Sequence, residues 1–204
     1  MIQDSVMSRH ILLDRDGVIN RRIPDGYVTS WEQFEFLPQA LDALRLLAEN
    51  GYQAIVVSNQ ACVGKGLISA GELAELTSRF LDAVVKSGGR ICDVYYCPHR
   101  SEDGCECRKP NPGLLRRAQQ KHGFVFSQTF LVGDSERDLM AAYGVGCPAV
   151  LVRGSTSGDF DAHSVPHRPR AIVPDLYEAV QFILGSGEGE KDADSLFHSR
   201  PARP

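Results

Sequence analysis

Long hydrophobic runs are missing from this chain. No apolar stretch approaches the ~18 residues that a membrane-spanning helix needs, so a helical membrane protein is not expected. Met1 to His10 also lacks the apolar core of a secretory signal, and a cytoplasmic location is expected. An excess of positive charge is missing too. Lys and Arg total 22 against 26 Asp and Glu, a formal net charge of −4. No basic stripe compensates for that balance, which argues against a nucleic-acid partner. Internal repeats are absent, which sets aside solenoids and propellers. A disulfide framework is missing as well, although cysteine is not. Cys62, Cys92 and Cys147 are scattered, whereas Cys97, Cys105 and Cys107 crowd one short segment with His99. In a cytosolic chain such a cluster reads as a metal site sooner than as a set of bridges.

What is present is an alternation of short apolar runs and helical patterns. The 204 residues suffice for one domain with a sizeable core. Residues 10–14 read as a buried strand that ends in a carboxylate. Pro38 opens a helix with apolar residues at helical spacing, closed by Asn50-Gly51. Residues 53–58 form a second strand. Ser69 caps a helix to about Lys86, with Glu72 completing a capping box. Residues 92–96 form a third strand, and a cysteine-rich loop spans 97–110. Pro112 starts a helix to about His122. Residues 129–133 form a strand ending at Asp134, and 136–143 a helix ended by Gly144. Residues 148–152 and 171–173 complete the strands, and Asp175 starts the last helix, to about Leu184. The polar segment 153–170 reads as a surface loop, and the Gly/Ser/Glu-rich stretch 185–204 as a disordered tail. The expectation is a single α/β domain over 1–184, a Rossmann-like three-layer fold with a parallel sheet. There is no room for a separate cap domain between Asp16 and Pro38. In such sheets ligands bind at the carboxyl ends of the strands.

Three strand-end loops carry the polar residues. Asp14-Arg15-Asp16-Gly17 follows the first strand, Ser58-Asn59 the second, and Gly133-Asp134-Ser135-Glu136-Arg137-Asp138 the fourth. A carboxylate such as Asp14 can attack phosphorus and form an aspartyl phosphate. It needs a cation to offset repulsion from the phosphate, and Asp134 facing Asp14 could complete a Mg2+ site of oxygen ligands. Asp16 could serve as general acid, Ser58 could donate a hydrogen bond to phosphate, and Lys109 could neutralise it. Each feature has a plainer reading: an acidic turn for Asp14 to Gly17, a cap for Ser58, and an exposed helix N-terminus for Asp134 and Asp138. The coincidence of all three at strand ends favours chemistry.

The run Leu-Leu-Asp-Arg-Asp-Gly-Val-Ile-Asn at 12–20 resembles the first motif of the haloacid dehalogenase superfamily. Val-Val-Ser-Asn-Gln at 56–60, Arg-Lys-Pro at 108–110 and Val-Gly-Asp-Ser-Glu-Arg-Asp at 132–138 resemble its later motifs. The resemblance implies Asp14 as nucleophile, Asp16 as acid/base and as a backbone-carbonyl ligand of the metal, Ser58 and Lys109 as phosphate ligands, and Asp134 on Mg2+. Cys97, His99, Cys105 and Cys107 make a standard tetrahedral Zn2+ set, structural because all four positions are filled. The combination of that loop with Arg-Lys-Pro-x-Pro-Gly is similar to the heptose 1,7-bisphosphate phosphatases and to the phosphatase half of a bifunctional histidine-biosynthesis enzyme. Tyr27-Val28, Gln60 and Gly64-Lys65-Gly66 fit the heptose group. The resemblance implies a carbohydrate-phosphate hydrolase working on a small sugar phosphate, as in lipopolysaccharide biosynthesis, with histidinol phosphate as the alternative substrate. Ser135 departs from the Lys that many members carry after the fourth-motif Asp. Ser58, Asn59, Lys65, Arg108 and Lys109 are the candidate substrate residues. Arg21 and Arg22 could join these cations, but their plainer reading is surface charge. A phospho-acceptor receiver and a polynucleotide 3′-phosphatase are the rival classes. The first has no use for Asp16 or the cysteine loop, and the second lacks its basic stripe. A monomer is expected.

Overall fold

A computed structural model describes residues 9–154 and 168–195. Its frame is one six-stranded, wholly parallel sheet in the order β3-β2-β1-β4-β5-β6. The strands are β1 (Arg9–Leu13), β2 (Tyr52–Asn59), β3 (Ile91–Cys97), β4 (Phe130–Gly133), β5 (Ala149–Val152) and β6 (Ala171–Val173). The helices are α1 (Ala40–Glu49), α2 (Ala70–Lys86), α3 (Gly113–His122), α4 (Glu136–Tyr143) and α5 (Leu176–Ser195).

Side chains of a strand alternate between faces, and the core follows that rule. Ile11, Leu13, Ala54, Val56, Val132, Val150 and Val152 face α1, α2 and α5. Leu12, Ile55, Val57, Leu131 and Leu151 face α3 and α4. The four central strands, β1, β2, β4 and β5, are therefore apolar on both sides, which explains runs such as Ile-Val-Val with no polar interruption. The three-layer α/β expectation holds.

The chain order reverses between β1 and β4: the path leaves β1 for β2 and β3, then returns to the other side of β1. Crevices at such reversals lie at the carboxyl ends of the strands. Asp14 sits there, its N–H donating to the Val132 carbonyl at 2.9 Å.

Several boundaries differ from the sequence reading. β1 stops at Leu13, so Asp14 is the first loop residue. The first helix begins at Ala40 because Gln39 takes a left-handed backbone (φ 57°) that breaks the turn begun at Pro38. Helix α5 runs through Ser195, past the boundary at 185 where a tail was expected. The glycines of 185–189 point away from a helix. A helix nucleated by turns packed on the sheet through Leu176, Ala179, Val180 and Ile183 nevertheless propagates at small cost per residue. The rest of the expected tail, 196–204, most of the loop at 153–170 with His163 and His167, and His198 lie outside the described residues. Among the described residues no helix is long and apolar enough to cross a membrane.

Candidate active site

The loop after β1 folds back on itself through its backbone. The Arg15 carbonyl accepts from the amides of Ile19 and Asn20 at 2.8 and 3.1 Å, and Gly17 takes φ +89°. That conformation suits glycine. Any Cβ there would also collide with the Asp134 carboxylate, so Gly17 is what lets Asp134 close on Asp14.

Lys109 lies at the centre, 2% exposed. Its Nζ is 3.0 Å from Asp14 Oδ2 and 2.5 Å from Asp138 Oδ1. The Arg15 amide donates to Asp14 Oδ1 at 2.7 Å, and Ser58 hydrogen-bonds the same carboxylate. Asp14, Asp134 and Asp138 bring carboxylate oxygens within 4.8 Å of one another. Three buried carboxylates against one ammonium leave the site short of positive charge. Burial, opposed by Lys109 and reinforced by Asp138, holds Asp14 above the usual carboxylate range. Burial, then Asp138 and Asp14, push Asp134 up to about 7. Lys109 goes upward despite its burial, because Asp138 and Asp14 favour its charged form. A hard divalent cation would relieve this deficit and reverse those upward shifts. The donor set of Asp14 and Asp134 suits magnesium.

Asp138 corrects the sequence reading, in which it was an exposed helix-end acid. It is fully buried and accepts from the Ser135 amide and hydroxyl at 3.1 and 2.5 Å as well as from Lys109. A Cβ at Gly133 would strike its side chain. The signal was present in the sequence: Ser135 and Asp138 have capping-box spacing. Arg22 is a second correction. Arg21 pairs with exposed Glu35, as surface charge should, but Arg22 Nη1 reaches Asp134 Oδ2 at 3.4 Å. Asn59 lines the cavity yet commits its side chain elsewhere. It accepts from the Lys109 amide and donates to the Lys109 carbonyl, both at 3.0 Å, so it clamps the loop that carries the lysine.

Asp14, Asp16, Ser58 and Lys109 open onto a cavity of about 360 Å³. Lys65, Arg108, Arg22 and Arg137 also line it. Lys65 Nζ lies 5.1 Å from the centre of the Tyr27 ring, and Arg108 donates to the His99 carbonyl at 3.3 Å. The structure thus brings the expected cations together at one mouth and adds Arg22 and Arg137 to them.

The second cluster stands behind Arg108. Cys97, His99, Cys105 and Cys107 place their ligand atoms within 4.8 Å of one another. The Sγ separations are 3.3, 3.5 and 3.6 Å, and His99 Nδ1 is 3.2 Å from Cys107 Sγ. A tetrahedral zinc with ~2.3 Å sulfur bonds needs sulfurs about 3.7 Å apart, so the four residues fit the ion. Burial pushes the Cys97 thiol up to about 12, a proton that a bound metal would displace.

Comparison with known proteins decides the family. Residues 106–179 match the HAD-hydrolase-like family model. The D-glycero-beta-D-manno-heptose-1,7-bisphosphate 7-phosphatase of Pseudomonas aeruginosa is 38% identical over 148 residues, 72% of this chain and 83% of that protein. The chain belongs to this phosphatase family. A member from Mycobacterium bovis, named for the alpha anomer, is 40% identical over 158 residues, covering 72% of this chain and 81% of its own length. The crystal structure of the D,D-heptose 1,7-bisphosphate phosphatase from B. bronchiseptica, complexed with magnesium and phosphate, superposes with a TM-score of 0.81. It shares 31% identity and covers 87% of this chain and 99% of that one. As a family member the chain is a phosphoric monoester hydrolase of the haloacid dehalogenase class, and that membership sets aside the receiver reading.

Proposed function

We propose that this enzyme removes the 7-phosphate of D-glycero-D-manno-heptose 1,7-bisphosphate through an aspartyl phosphate on Asp14. The observation that carries the reading is the cavity itself. The Asp14 carboxylate lines it beside Lys109, and Lys65, Arg108, Arg22 and Arg137 line it too. One charged group handles the phosphate that reacts. The others suit a second anion on the same substrate.

Asp14 attacks phosphorus, and the bond from phosphorus to the sugar oxygen breaks. Asp16 hands its proton to that oxygen, a contribution of roughly 10²–10⁴-fold. Water then attacks the aspartyl phosphate while Asp16 takes its proton, and Asp14 is restored with release of phosphate. Ser58 and Lys109 hold the phosphoryl oxygens throughout. Asp14, Asp134 and the Asp16 carbonyl would hold Mg2+, which when bound neutralises the approaching anions. Cys97, His99, Cys105 and Cys107 would hold a structural Zn2+. Its place is the stretch 99–106, exposed along nearly its whole length, which has little apolar material of its own. The free thiols and the small phosphorylated substrate support a cytoplasmic location, and a monomer with no nucleic-acid or membrane partner is our reading.

The test is a steady-state comparison with magnesium of both anomers of the heptose bisphosphate, the corresponding 7-monophosphate, fructose 1,6-bisphosphate and histidinol phosphate. The heptose bisphosphate should have the highest kcat/KM. Loss of the 1-phosphate should cost about 1–3 kcal/mol, the range for a charge-assisted contact. A histidinol phosphate kcat/KM equal to or above that of the heptose bisphosphate would move the enzyme to the other phosphatase group.

A further inference from the structure

Arg15 and Gln60 are completely buried yet touch neither of the carboxylates that suit a metal through their side chains. Both aim at Asp16. Asp16 Oδ1 accepts from Arg15 Nε and Nη2 at 3.2 and 3.0 Å and from Asn20 Nδ2 at 2.8 Å. Asp16 Oδ2 accepts from Arg15 Nη2 at 3.1 Å and from Gln60 Nε2 at 2.7 Å. The guanidinium is fixed in its turn. Its centre lies 5.8 Å from the Phe34 ring and 5.5 Å from the Tyr96 ring, and it donates to the Tyr96 hydroxyl at 3.4 Å. Its remaining reach is to Gln60 Oε1 at 2.9 Å. That bond settles the orientation of the Gln60 amide: the carbonyl meets the guanidinium, so the NH2 must point at Asp16. The same NH2 is 3.2 Å from Ser58 Oγ, and Ser58 faces Asp14.

A buried guanidinium is costly unless it is fully paired. The turn to Asn20 closes through the Arg15 backbone carbonyl and not through the guanidinium. What the side chain and Gln60 do together is fix one rotamer of Asp16, whose carboxyl is 23% exposed at the cavity wall. We propose that Arg15 and Gln60 are positioning residues for proton transfer, setting where the Asp16 carboxyl stands relative to the leaving oxygen. This rests on the reading of Asp16 as the acid/base group.

A positioning role has a signature that a purely structural one lacks. Leaving groups that depart without help do not feel a misplaced acid. In kcat/KM, which reports events up to phosphoryl transfer onto Asp14, Gln60→Met should lose about 10-fold or more on the heptose bisphosphate, part of the full acid contribution. With p-nitrophenyl phosphate the loss should stay within about 3-fold. Arg15→Lys, which keeps the charge but not the planar fork, should show the same asymmetry and stands in if the Gln60 variant does not fold. Asp16→Ala is measured beside them. If Asp16→Ala is asymmetric and the positioning variants lose equally on both substrates, or on neither, the proposal is overturned while the acid role stands. If Asp16→Ala itself shows no asymmetry, the acid role falls and the proposal with it.

Discussion

The two ligand clusters of this enzyme meet in the chain at Cys107-Arg108-Lys109 and are built in opposite ways. Asp14 follows β1, Asp134 and Asp138 follow β4, and Lys109 lies in the loop between β3 and α3, so they meet only because the fold makes β1 and β4 neighbours and turns that loop back over them. Cys97, the last residue of β3, and His99, Cys105 and Cys107 of the loop that follows it lie within eleven residues and are neighbours along the chain before any sheet forms. The first cluster is packed and charged: Asp134 is 3% exposed and Asp138 and Lys109 no more than that. The second is anchored at its ends by buried Cys97 and Cys107, while the residues between them are mostly exposed. A cluster made by the fold inherits its rigidity from the core and is free to carry strained charge. A cluster made by a loop has to supply the order of that loop. Changes to the first should therefore act on turnover, and changes to the second on stability.

Asp14→Asn gives the sharpest form of that contrast. An amide cannot attack phosphorus, so turnover should fall by roughly 10⁴-fold or more. The fold should not suffer. Asp14 is one of three carboxylates crowded on Lys109, and its neutral replacement relieves like-charge repulsion. Steady-state assay beside thermal unfolding without added magnesium checks both halves. A melting temperature well below that of the parent would show that Asp14 also stabilises the fold, and the division of labour would fail at its strongest point.

The same difference explains what was legible in the sequence. The cysteine set could be read from local spacing, since four ligand types within one loop already suggest a tetrahedral shell. The alternation of strands and helices fixed the sheet, and strand ends then pointed to Asp14, Ser58 and Asp134. Arg15, Gln60 and Asp138 were harder. A charged residue in a polar loop normally lies in water, and nothing in the spacing of Arg15 says that Phe34 and Tyr96 will enclose it. Phe34 and Tyr96 come from distant segments, so the pocket for the guanidinium exists only in three dimensions. The bracing role of Asn59 was hidden for a related reason: a polar residue beside a phosphate ligand looks like another, and only the fold shows that its side chain also clamps the Lys109 backbone. The continuation of α5 to Ser195 was hidden because glycine content speaks to local preference and not to propagation from packed turns.

Cys107→Ser tests the other half of the comparison. Protein purified without chelator should contain about one zinc per chain by elemental analysis, consistent with a filled four-ligand site. The variant should lose that zinc and melt several degrees lower, as expected for a loss of about 2–3 kcal/mol in a domain of this size. Turnover at a temperature where the variant remains folded should fall much less than in Asp14→Asn, and through Arg108, whose guanidinium donates to the His99 carbonyl in the same loop. Substrates without a second anion should then be the least affected. A variant with full zinc content, or with unchanged stability and no zinc, would remove the ordering role from this cluster.

The smallest expected effect comes from a charged group outside both clusters, near the opposite end of the sheet. Asp93, in the third residue of β3, accepts from Lys121 Nζ at 2.8 Å and lies 2.9 Å from His122 Nε2. Burial alone would raise its carboxyl, but the hydrogen bonds from Lys121 and His122 more than reverse that, and it is held below the usual 3.8. A carboxyl depressed in the folded state stabilises above its unfolded value and loses that contribution as pH falls through the folded value. Lys121 is 65% exposed, so solvent and salt screen the pair, and Asp93→Asn should cost only about 0.5–1 kcal/mol at neutral pH. The gap between parent and variant should narrow below pH 3.8 and in molar salt, with kcat/KM unchanged throughout. Urea unfolding of the two proteins across pH 2.5 to 7 reads it directly. A gap that persists at the acid end would mean that the Asp93 side chain stabilises by packing and not by charge. An effect on turnover would mean that the end of the sheet away from the cavity is coupled to the site, which the comparison of the two clusters does not allow.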